Sequence, residues 1–66
     1  MNIKYPDIRV TLTGKDGNAF AIIGNVLKAM KIENIPKEEQ DKFQEEATSG
    51  DYDNVLQTAM RWVDVN

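Results

Sequence analysis

Sixty-six residues without a single cysteine or histidine leave apolar packing as the main way to hold this chain together. A domain of this size buries only about 60% of the surface its unfolded chain exposes, so its margin is thin. Small domains usually widen that margin with disulfides, a metal or a second subunit. Disulfides are excluded here, and a zinc site would have to be built from carboxylates alone. Self-association is the staple left open, so a homodimer is one expectation. No metal or cofactor is expected.

The packing signal is strongest over Ala19, Ile22, Ile23, Val26, Leu27 and Met30. These positions fall at i, i+3, i+4, i+7, i+8 and i+11, an apolar stripe of helical period. The spacing predicts a helix over 18–32, with Phe20 at the edge of the stripe and Asn18 as its N-cap. A rival reading closes a hairpin at Asp16–Gly17, with 18–22 as its second strand. The adjacent Ile22 and Ile23 and the continued 3.6 period favour the helix. Gly24 lies inside it, where close approach by another backbone and simple tolerance are equally open readings.

Tyr52, Val55, Leu56, Ala59 and Met60 repeat the helical pattern near the other end. Gly50 ends what precedes, and Ser49 or Asp51 caps the new helix. Between the two stripes, Pro36 suits the first position of a middle helix running to about Thr48. Glu38 and Glu39 complement the positive end of its dipole. Only Phe43 and Ala47 are apolar there, so this helix is expected at the periphery.

Ile8 to Thr13 alternates apolar and polar residues, the period of a half-buried strand. Pro6 marks its start, because proline donates nothing to a ladder. A lone strand would leave its backbone groups unpaired. Trp62, Val63 and Val65 favour a second strand, although Val63 would also extend the helical stripe. The chain is therefore expected to be one α+β domain over 1–66, in the order β–α–α–α–β. Its two-stranded sheet packs on the helices, with strand direction open. If the strands fail to pair, the first must pair across a dimer.

The charge is −3 overall, yet residues 1–32 carry five basic and two acidic groups while 33–66 carry three and nine. An acidic chain is a poor wrapper of nucleic acid, whose binding rests on phosphate neutralisation. The first six residues contain no apolar core of a secretory signal. Ala19–Ile23 is the longest apolar run, far short of the ~20 residues that span a bilayer. The expected setting is the cytoplasm, with no membrane partner.

Catalysis fares poorly as an expectation. Nucleophilic chemistry needs an activated side chain and a positioned base. With no cysteine or histidine, one serine and mostly exposed acids, the chain is not expected to be an enzyme. Gly14, Lys15, Gly17 and Asn18 are the candidate ligand-binding residues, because glycines and a helix start admit a phosphate. Their spacing matches neither a Walker A motif nor a dinucleotide fingerprint, and Asp16 opposes an anion. A turn that only links strand to helix is the bland alternative. Gly14–Asn18 and Ser49–Asp53 each precede a helix, so the two starts could frame one anion pocket if they share an end of the fold.

Glu38, Glu39, Asp41, Glu45 and Glu46 crowd five acids into nine residues. They suggest a partner-facing surface or a mimic of nucleic acid, against the plainer reading of a solvated helix with Glu38 and Lys42 at i, i+4. Trp62 is the aromatic singled out as a partly exposed anchor, since such residues are enriched where proteins meet, against the plainer reading that it completes the core. Glu38, Glu39, Asp41 and Trp62 are thus the candidate partner-binding residues.

The segments TGKDGNAF, EATSGDYD and LQTAMRWV, spread across about residues 8–65, resemble a group of short uncharacterised proteins found in bacteriophages and other mobile elements. That resemblance implies a mobile-element setting and not a mechanism, although small accessory proteins of this kind often bind a host protein or a small host-derived signal. No functional residue follows from it. The leading expectation is a non-catalytic protein-interaction module, with a phosphate-bearing ligand second and nucleic-acid mimicry third.

Overall fold

A computed structural model describes residues 3–11 and 19–65. The order is β1 (Tyr5–Val10), α1 (Ala19–Ile32), α2 (Lys37–Ala47), α3 (Tyr52–Trp62) and β2 (Val63–Val65). This is the expected small α+β domain, and its first and last elements pair as a two-stranded sheet. The strands run parallel, with Tyr5 opposite Val63, Arg9 opposite Asp64 and Val10 opposite Val65. The register is interrupted between Tyr5 and Arg9.

β1 begins earlier than the alternation predicts, at Tyr5 instead of Ile8, and Leu12 and Thr13 lie outside the described residues. Pro6 sits inside the strand and does not start it. Proline is tolerated at a sheet edge or a bulge, and the interrupted register spans this residue. Beyond the strand, the Lys4 N–H donates to the Arg61 carbonyl at 3.0 Å, which extends the join.

The α1 stripe packs as its period demands, with Ile22, Ile23, Val26 and Met30 buried. Gly24 is exposed and meets nothing where a side chain would stand, so the close-approach reading is corrected. The helix ends in a Schellman motif. The Ile35 N–H reaches the Met30 carbonyl at 2.9 Å, and the Asn34 N–H reaches that of Lys31 at 3.0 Å. Asn34 takes the left-handed turn, φ 60°, that this motif requires. Ile35 then packs against the core beside the stripe.

Pro36 stands one position outside α2 as its N-cap residue, φ −55°, ψ 145°. Extended ψ at that position is what lets the Pro36 carbonyl receive Glu39 and Gln40 N–H groups. Phe43 and Ala47 are the buried residues of α2, as expected from its composition. Asp51, one of the two proposed caps, starts α3 by accepting the Asn54 N–H at 3.0 Å. The side chain of Asn54 turns back to donate to the Glu46 carbonyl at 2.9 Å. One residue thereby finishes α2 and begins α3. A Cβ at Gly50 would stand 3.0 Å from the Asn54 Cβ, so the missing side chain makes room for this joint.

α3 is rotated from the face its period suggests. Val55, Thr58, Ala59 and Trp62 are buried, while Tyr52 and Met60 stay exposed. Turning the helix this way buries the largest aromatic, and Thr58 is small enough to follow it inside. Trp62 and Val63 join Ile8, Val10, the α1 stripe and Phe43 in one core. Among the described residues, no helix is long and apolar enough to cross a membrane.

Candidate functional site

Two opposite ends of α3 concentrate the chemistry. At its C-terminal end, Trp62 is only 5% exposed. Of the two readings open to it, exposed anchor and core residue, the structure shows the second. Phe43 meets it edge-on with ring centres 5.7 Å apart, and Tyr5 lies tilted at 6.1 Å. Such aromatic geometry adds to simple area burial. The Lys4 ammonium stands 4.2 Å from the indole centre, within cation–π range.

Two α2 glutamates close this knot. Glu39 accepts the Tyr5 hydroxyl at 3.0 Å and pairs with Lys4 at 2.6 Å. Glu46 pairs with Arg61 at 2.7 Å and accepts the indole N–H of Trp62 at 3.3 Å. The bond from Lys4, then that from Tyr5, holds the Glu39 carboxyl below its usual range. Arg61, then Trp62, does the same for Glu46. The Glu39 bond raises Lys4, and burial first, then that carboxylate, raises Tyr5.

The acidic row of α2 is therefore interrupted. Glu39, expected among partner-facing acids, is turned toward β1 and also lies 3.9 Å from Lys42. Glu38 and Asp41 are exposed. Sequence reasoning missed the Lys4–Glu39 and Arg61–Glu46 links, whose partners are far apart along the chain and carry no periodic signal.

The N-terminal end of α3 differs. The first turns of α1 and α3 lie side by side at one end of the fold and frame a cleft of about 210 Å³. Its floor is Ala19, Ile23, Ala47 and Val55, and Thr48, Gly50 and Asp51 form one wall. Phe20, 79% exposed, and Tyr52, 41% exposed, also line it. Two helix starts meet here, and among the described residues the lining includes no cation. Asp51 is an anion, already engaged as a cap. The candidate ligand residues Gly14, Lys15, Gly17 and Asn18 lie outside the described residues.

A second, more polar groove of about 450 Å³ runs between α1 and α2, lined by Leu27, Lys31, Lys37, Gln40, Asp41 and Gln44. Gln40 is held by donating to the Ile35 carbonyl at 2.9 Å. Among the described residues no cluster of three or more acids is placed to hold a metal ion.

Tyr52 fits the apolar period of α3, which by itself points it toward the core. The competing signal was Trp62, seven residues from Val55 on the same helical face. Compared with known proteins, the chain matches no family model, no curated protein and no solved structure.

Proposed function

We propose that this domain is a non-catalytic protein-interaction module that engages a partner through the cleft between the starts of α1 and α3. The observation that carries this reading is Phe20 and Tyr52 standing exposed beside an apolar floor. A small domain gains most by burying its large apolar side chains, and this one buries Trp62 and Phe43 completely enough to do so. Leaving two aromatics of five outside, at one place, suits recognition better than stability. Aromatic side chains of this kind anchor interfaces by filling pockets or receiving them. The resemblance to short phage and mobile-element proteins supports an accessory role. Unlabelled lysate capture by the wild-type domain, compared with Phe20→Ser and Tyr52→Ser, tests the reading. Retention of the same captured proteins by both folded variants overturns it.

A small-ligand reading rests on the α1–α2 groove. Among the described residues, Lys31 and Lys37 have no carboxylate within 4.0 Å, whereas Lys4, Arg9, Lys42 and Arg61 each do. Two unpaired cations flanking a groove suit a phosphate-bearing molecule, although Asp41 shares the lining. Selective binding to the folded state raises the melting temperature. A thermal-shift series with inorganic phosphate and nucleotides separates the readings, and no shift anywhere removes the second.

A further inference from the structure

We infer, on the reading of the cleft between the starts of α1 and α3 as the docking site, that it receives one basic side chain of the partner protein. A guanidinium or ammonium on a long methylene stem asks three things of its host. The stem needs an apolar channel, and the charge needs aromatic faces beside it and a carboxylate to meet it. All three line this one cleft. Ile23, Ala47 and Val55 lie on the floor, Phe20 and Tyr52 stand exposed beside it, and Asp51 is on the wall. A volume of about 210 Å³ suits a single side chain better than a packed helix. Arginine fits best, because its planar head stacks on rings and pairs with carboxylates.

The charges agree. Among the described residues no cation lines the cleft, and Asp51 is its carboxylate. Asp51 gives one oxygen to the Asn54 N–H, but a carboxylate has room for several donors and keeps its charge. The positive starts of α1 and α3 oppose a cation. At α3 that end is met by Asp51 and by Asp53 in the first turn. The negative end of α2, whose last turn carries no basic residue, reaches the cleft through Ala47 and Thr48. An acidic side chain would meet Asp51 head-on, and a purely apolar one would desolvate that carboxylate without pairing it.

An NMR titration of the labelled chain with two capped tripeptides tests the inference, one centred on arginine and the other on its neutral isostere citrulline. The arginine peptide should shift the amide signals of Phe20, Tyr52 and Val55 and bind about fivefold tighter than the citrulline peptide. Added salt should narrow that gap. Asp51→Asn removes the charge yet keeps a good helix cap, so the fold persists while the preference for arginine disappears. Tyr52→Ser should weaken the arginine peptide. Equal binding of the two peptides, no shift with either, or an unchanged preference in Asp51→Asn overturns the inference. The docking reading fails separately, through lysate capture that survives Phe20→Ser and Tyr52→Ser.

Discussion

The two ends of α3 spend similar side chains on opposite tasks. At its C-terminal end, Trp62 is sealed by Tyr5 and Phe43, with Lys4 over its ring and Glu46 on its N–H. At its N-terminal end, Tyr52 and Phe20 stand exposed around a cleft. An aromatic stabilises when several elements converge on it, and here β1, α2 and α3 converge on Trp62. Where only two helix starts meet, as at Tyr52, fewer elements close over the ring and it stays partly exposed.

The largest expected effect breaks the sealed end. Trp62→Ala should cost about 3–5 kcal/mol in urea denaturation, enough to unfold a domain of this size. A small loss would mean that the knot contributes little and that the contrast between the ends is false. The joint between α2 and α3 comes next. Asn54→Ala removes one donor from the Glu46 carbonyl, which keeps the Ser49 hydroxyl, and should cost about 1.5 kcal/mol. Asp51→Ala removes only the α3 cap and should cost about 1 kcal/mol.

Acidity probes the sealed end without mutation. Glu39 and Glu46 both have lowered folded-state values, so their stabilisation is present above the ordinary glutamate value of 4.5 and fades as pH falls through the lower folded values. Lys4 and Tyr5 have raised values, so their contribution is complete below about 10 and fades as pH rises past them. Melting temperature against pH should therefore fall at both extremes, and Glu39→Gln should flatten part of each limb. Partial exposure of these groups keeps the effect modest and sensitive to salt. Outside both ends, Gly24→Ala should stabilise by about 0.5–1 kcal/mol, since open space surrounds it on an exposed helix face. The smallest effect sharpens the comparison most. Tyr52→Ser should change stability by no more than about 0.5 kcal/mol while abolishing partner capture.

Much of the frame was legible in the residues. The α1 stripe, the sparse apolar content of α2 and the Asp51 cap each carry a local signal, and local signals survive folding. The pairing of the tail with the first strand follows from the need of any strand for a partner. What stayed hidden depends on elements meeting in space. The period of α3 could not say that Trp62 would turn inward and Tyr52 outward, because that choice depends on Tyr5 and Phe43 arriving from elsewhere. Nor could the acidic run show that Glu39 and Glu46 would face Lys4 and Arg61. Pro6 misled for a related reason: its meaning depends on which edge of the sheet it occupies.

Asn54 donates to the last turn of one helix and to the cap of the next within a few residues of chain, whereas β1 and β2 must find each other across all three helices. Short closures are quick and long ones slow. The α2–α3 corner should thus gather early as a preassembled bracket, and the ribbon should snap shut last, making the sheet the latch of the fold.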